Sequence, residues 1–315
     1  MNCRFLVPLC FALLAGSSAS AAFDNKHQIW THELKHYVDG DLIHYARWQK
    51  KPGALDKYLK ELADITPEEL EDMTHDQRKA LWMNAYNAFT VKLVLDHYPI
   101  IGKNPYYPTD SFRQIPDAWE KYQVTVAGKQ YTLDTIEHDI LRALRYPEVH
   151  FAVVCAAKGC AAPRKRAFVS TTWEADLAAC KEKFLSDKKN ILIDPKQKTI
   201  TVSQIFKWFP LDFSKASGIS GKKPPPTDDQ IVLAYLSKNL PASVKNDIPV
   251  GDRLIDYSVI YKPNDWSLND ADANEMKARN SSSAEYKRGT PVPPLKTSSI
   301  SGGLKIRAPF RGLSS

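Results

Sequence analysis

No stretch of this sequence approaches eighteen uninterrupted apolar residues, so nothing in it reads as a bilayer span. Glycine-rich phosphate loops and dinucleotide fingerprints are missing, which speaks against a nucleotide cofactor, and no other cofactor is implied. There is no internal repeat, and helices do not alternate with strands at the spacing of a doubly wound sheet. Cysteine is scarce, five in 315 residues, and two of the five, Cys3 and Cys10, fall at the start of the chain. What is present in quantity is apolar side chain, 43% of residues, which excludes a collagen-like or wholly disordered polymer.

The ends of the chain stand apart from its body. Arg4 is the only early charge, Phe5 to Ala15 is apolar, and small residues run from Gly16 to Ala22. This is the pattern of a secretory signal peptide over residues 1–22, and a retained anchor is disfavoured because the apolar run is short. Cys10 follows Pro8-Leu9 rather than small residues, so lipid attachment is not expected. The expected location is therefore periplasmic or extracellular, with no membrane span once the leader is gone.

From Ala271 to Ser315 there are eight Lys or Arg against three Asp or Glu. The formal charge of +7 is thus concentrated in a Ser, Pro and Gly-rich tail, expected to be disordered. The body, residues 23–270, is nearly neutral, so nucleic acid is not the expected partner. A small molecule or an envelope component is.

Within the body, Leu55, Tyr58, Leu59 and Leu62 share a helical face. Thr66-Pro67-Glu68-Glu69 carries capping-box chemistry for a second helix. The longest helix is expected from about His75 to His97, apolar around most of its circumference and therefore buried. Tyr122 to Leu133 alternates around Ala127-Gly128 as a hairpin, and Asp134 to Glu137 opens a helix through Arg145. His150 to Cys155 reads as a buried strand. A helix over Thr172 to Ser186 follows, then a hairpin around Asp194-Pro195-Lys196-Gln197, and a last helix over Asp228 to Asn239. Helices and hairpins in this order predict one α+β domain over 23–270, built around the long buried helix.

Three segments carry a resemblance: Trp82-Met83-Asn84-Ala85-Tyr86-Asn87-Ala88, then Leu133 to Arg142 with its Glu137-His138 pair, then His150 to Cys160. Together with Asp265-Trp266-Ser267-Leu268-Asn269 they are similar to domain-of-unknown-function family 547 over roughly Leu55 to Asn269. The family supplies architecture and positions but no reaction. One departure is visible, Ala161-Ala162 before Pro163 where the family usually has prolines directly after the second cysteine.

Each candidate residue has a plain reading beside the functional one. Asn84 and Asn87 lie where apolar residues would be the default, so each either orients a substrate or imidazole, or binds the backbone of the loop after the helix. Cys155 and Cys160 close a short loop, a structural disulfide in an oxidising compartment; a redox pair, or a nucleophilic Cys155 with His138 or His150 as base, are the alternatives. The same two cysteines with His150 and His138 are zinc-type ligands, but C-x4-C lacks the tight knuckle, and no metal is expected. Asp134 and Glu137 could pair as acid and base, although capping the following helix accounts for both. Arg164-Lys165-Arg166 could present cations to a carboxylate or phosphate, or be a solvated run.

Two function classes stay open. One is a thiol-dependent enzyme, for acyl transfer, hydrolysis or thiol–disulfide exchange, using Cys155 with His138 or His150 and Asn84. The other, favoured because no complete catalytic constellation is visible, is a non-catalytic ligand- or partner-binding module stapled by Cys155–Cys160.

Overall fold

A computed structural model describes residues 22–273. The expected leader, and the expected tail beyond residue 273, lie outside these described residues.

Helix α1 (Gln28–Tyr37) leads into a hairpin of β1 (Val38–Asp39) and β2 (Leu42–Ile43), then α2 (Tyr45–Gln49), α3 (Gly53–Asp64), α4 (Pro67–Asp72) and α5 (His75–His97). After a loop come β3 (Val124–Val126) and β4 (Lys129–Tyr131), and one helical turn α6 (Leu133–Thr135) that widens into a π-helix at Ile136–Leu141. Helix α7 (Trp173–Ser186), the hairpin β5 (Ile191–Asp194) and β6 (Thr199–Ser203), and helices α8 (Ile205–Trp208), α9 (Pro210–Ser217), α10 (Asp228–Asn239) and α11 (Ala242–Lys245) follow. Strand β7 (Ser258–Lys262) closes the series by pairing parallel to β6. The class is α+β, as expected.

Why α5 is central is plain from its surface: sixteen of its residues, from Lys79 to Leu95, are buried. Thr74 and Gln77 cap it reciprocally, and Thr66 with Glu69 do the same for α4. Buried side chains from Trp30 on α1 to Leu268 near the end form one connected core around it. The β3–β4 hairpin turns through Ala127 and Gly128, both at positive φ, and the turn is anchored on α3 by Ala127 N–H to Leu62 C=O.

Two expectations fail. His150–Cys155 is not a strand: Pro147–Phe151 is a 3₁₀ turn, and the chain beyond it is irregular. The backbone there needs no ladder, because Asn87 donates to the Ala152 carbonyl (3.2 Å) and accepts from the Val154 N–H (2.8 Å). Nor do Asp134 and Glu137 form a cap. Thr132 is the N-cap, accepting from Thr135 N–H, so the helix starts two residues earlier and Glu137 is carried inward.

The closing segment works as a strap. Lys158 N–H reaches Ser267 C=O, Gly159 N–H reaches Asp265 C=O, and Asn269 N–H reaches Ala156 C=O. On its other flank Ile43 N–H donates to Asn269 C=O, while Tyr45 and Tyr98 hydroxyls donate to Asn269 and Asp270 side chains. A Cβ on Gly159 would sit 2.3 Å from Asn264 Oδ1 and 2.6 Å from the Asp265 nitrogen, so the strap's approach requires glycine here.

Candidate functional site

The loop from Cys155 to Cys160 is held from three sides. A disulfide joins its two ends across a Cα–Cα distance of 6.1 Å, the strap lines one flank, and α5 pins the other through Asn87. Both cysteines are buried. Asn84, one turn earlier on α5, clamps the next passage of chain by donating to Phe168 C=O and accepting from Phe168 N–H. The asparagines therefore hold the backbone at 152–154 and 168, not the loop that directly follows α5. Between α5 and this segment lies a cavity of only about 20 Å³, room for one water and not for a ligand.

His150 turns away from the cysteines. Its Nε2 donates to Asp212 Oδ2 (2.8 Å) on α9, and its ring stacks on Phe209 at 4.2 Å. Arg142 binds the same carboxylate in bidentate fashion (2.6 and 2.9 Å), lies over the Phe209 ring, and donates a third bond to His138 Nδ1 (2.6 Å). Accepting at Nδ1 fixes His138 as neutral imidazole with its proton on Nε2, which faces Asp134 at 3.6 Å. Burial, and then the Arg142 charge, lower the His138 pKa to about 4. Burial likewise lowers His150, against the opposing pull of Asp212. For Asp212 burial acts upward, yet the bonds from His150 and Arg142 outweigh it and hold the carboxyl well below its usual range.

Glu137 occupies the inner side of the π-helix. Tyr86 of α5 donates to its Oε2 (2.7 Å), Trp119 Nε1 donates to the Tyr86 hydroxyl (3.2 Å), and Oε1 is buried with no hydrogen-bond partner. Burial pushes its pKa up to about 8, so it is largely protonated at neutral pH. The wide turn matters here, because it sends Glu137 to the core and His138 to the Arg142 cluster from adjacent positions.

These contacts sort the candidates. His138 and His150 are brought together through Arg142 and Asp212, whereas Cys155 is joined to Cys160 and Glu137 to Tyr86. The residues weighed as zinc ligands are thus each engaged elsewhere: sulfur with sulfur, His150 with Asp212, His138 with Arg142.

Open space lies on the far side of the disulfide loop. A cavity of about 720 Å³ is floored by Phe151, Ala162, Pro163, Ala179, Cys180 and Phe184. It adjoins one of about 280 Å³ over Ala157 to Ala162, and the two share Asp41, Cys160, Ala162, Lys189 and Asn190 as walls. Six cationic side chains line the larger one against two carboxylates, Asp41 and Asp187. Arg164 and Arg166 both bind Asp176, which is wholly buried (2.6 and 2.5 Å). Arg164 also lies over the Phe168 ring, so the Arg164–Arg166 run is not a simply solvated one. Asp41, presented by the Gly40 turn of the β1–β2 hairpin, bridges Lys183 and Lys189 (2.6 and 2.7 Å). Cys180, the free cysteine among the described residues, has its thiol pushed up to about 11 by burial and is a poor nucleophile.

Sequence reasoning missed Asp212, Tyr86, Asp176 and the groove lysines Lys35, Lys183 and Lys189. Asp176 left a readable sign, a charge on the apolar face of α7 between Trp173, Leu177 and Cys180. Asp212 left none, since its partners lie 62 and 70 residues earlier.

Neither a curated protein nor a solved structure matches the chain. The model of one family does, described as protein of unknown function, DUF547, over residues 70–185. That span takes in every candidate residue from Asn84 to Asp176, leaves Asp212 and the strap outside, and gives the middle of the chain its resemblance to this family.

Proposed function

We propose that the chain is an exported, non-catalytic binding module that holds a small ligand in the groove beside the Cys155–Cys160 loop. The observation that carries this reading is the groove itself: a space of about 720 Å³ with an apolar floor, in the size range of ligand sites, built on a loop stapled by a disulfide and a strap. A ligand site on a pre-formed surface loses little to ordering when it fills. The thiol-dependent alternative needs a reduced, accessible Cys155, and that sulfur is buried and bonded.

Differential alkylation with peptide mapping tests the choice. Cys155 and Cys160 should resist labelling in the folded protein and label together only after reduction. A Cys155 that alkylates rapidly without reductant would sink the binding-module reading and favour the enzyme. Nile red, an uncharged apolar dye, tests the groove: its binding should be lost when Ala179→Trp fills the floor.

A further inference from the structure

We infer that the ligand of this groove is an anionic amphiphile, a carboxylate or phosphate head on an aliphatic chain. The inference rests on the binding reading above and specifies its chemistry.

The floor and the rim differ in kind. Phe151 and Phe184 stack at 4.6 Å and, with Pro163, Ala162 and Ala179, offer an apolar surface. Such a surface suits an alkyl chain. The rim is cationic and incompletely neutralised. Two guanidinium groups, Arg164 and Arg166, share the single Asp176 carboxylate, and Arg164 Nη1 has no hydrogen-bond partner. Opposite them, Lys183 and Lys189 share Asp41, with Asp187 adding a second contact to Lys189 (3.1 Å). Lys35 and Lys165 extend the rim, and Lys165 meets Asp39 only at 3.8 Å. Positive charge is therefore in surplus where two guanidinium groups meet one carboxylate, and Lys35 and Lys165 add to it, while Lys183 and Lys189 are matched by Asp41 and Asp187.

The buried Asp176 does more than neutralise. By holding the forked ends of two arginines it fixes donors at one bank, whereas the lysines, half-exposed, can swing to a head group. Apolar floor with fixed and mobile cations is complementary to one long chain and one terminal negative charge. A fatty carboxylate and a lipid phosphate share that chemistry.

Isothermal titration of the purified full chain with octanoate, octyl phosphate and uncharged octyl glucoside, each below its micelle concentration, separates the possibilities. One site per chain is expected, with at least one anion binding ten-fold or more tightly than the glucoside. Lys165→Gln and Lys183→Gln, both at exposed lysines, should each remove several-fold of that advantage and leave glucoside binding and the thermal midpoint unchanged. Lys57→Gln, outside the groove, should change nothing. A preference for octyl phosphate points to lipid phosphates as the source, and one for octanoate to fatty acids. Equal binding of all three heads with loss in Ala179→Trp would overturn the anionic class and keep the groove. Absence of binding by all three, with Nile red unaffected by Ala179→Trp, would overturn both.

Discussion

Glu137 gives the sharpest test of how this fold treats a buried acid. Its pKa rises from 4.5 to about 8 on folding because burial penalises the charged form more than Tyr86 stabilises it. A raised carboxyl pKa means the native state holds the proton longer than the unfolded chain does. Its contribution to stability is thus intact below about pH 4.5 and is lost as pH rises towards about 8. The linkage relation puts the loss between pH 5 and pH 8 at about 3.5 kcal/mol. Glu137→Gln removes this titration while keeping an oxygen to accept from the Tyr86 hydroxyl. The unpartnered position is already occupied by a neutral hydroxyl in the protonated acid, so the amide adds little fresh desolvation there. The variant should therefore match the wild type near pH 5 and exceed it increasingly up to pH 8, by a thermal midpoint difference of roughly 10 °C. Urea denaturation at half-unit pH steps measures the difference directly, and other titrating groups cancel between the two proteins. Parallel stability curves from pH 5 to pH 8 would refute the reasoning, since they would mean Glu137 ionises as readily in the fold as out of it.

Other outcomes follow from the same contacts. Asp212→Ala leaves Arg142 and His150 without their shared acceptor and should cost about 1–3 kcal/mol in chemical denaturation, the cost of unpairing partly buried polar groups. Acid should act on the same cluster: a lowered imidazole pKa, about 4 for His138, means stability held above the unfolded value of 6.5 and lost as pH falls from 6.5 towards 4, and His138→Gln should flatten that part of the wild-type curve. Reducing the Cys155–Cys160 bond should lower stability by roughly 2 kcal/mol, a small loss because the closed loop is short, seen as a shift in urea midpoint with added reductant. Gly159→Ala should release the strap, costing about 1–3 kcal/mol and speeding amide exchange at Lys158 and Gly159.

Local chemistry made most of the helices legible. Thr66 with Glu69 marked α4 by its capping box, and apolar spacing marked α3, α5 and α7; Thr74 and Thr227 cap their helices in the same way, a signal the sequence also held. Two-residue alternation around tight turns marked both longer hairpins. What pattern could not reach was long-range pairing. Strand β7 joins β6 from 59 residues away in register Thr199 with Ser258, and nothing local specifies a parallel partner. The apolar run at His150–Cys155 misled for a related reason: burial was read rightly, but its backbone groups are satisfied by an asparagine side chain on α5 rather than by a neighbouring strand.

The site divides in the same way, and the division carries an argument about what the quoted segments are for. Residues whose role is set by chain neighbours, such as the Cys155–Cys160 pair, were readable from spacing. Residues that meet across the fold were readable only as oddities, polar groups in apolar surroundings: Asn84 and Asn87 on the buried helix, Glu137 and His138 in one motif. Each oddity turns out to be a cross-link. Asn84 ties α5 to Phe168, Asn87 ties it to 152–154, Glu137 ties the π-helix to α5, and His138 with Arg142 ties it to α9 through Asp212. Polar groups buried with their partners in place specify a geometry more narrowly than apolar packing does, because a slipped arrangement leaves them unpaired at a cost of about 1–3 kcal/mol each. Three hallmark segments therefore behave as one frame whose common product is a rigid loop at Cys155–Cys160. The groove on that loop's free side is the surface such a frame would be expected to serve: Phe151 and Cys160 of the third segment help to floor it, and its rim is made by side chains outside the motifs, Lys183 and Lys189 among them. Ligand choice can then change with the rim while the frame stays fixed.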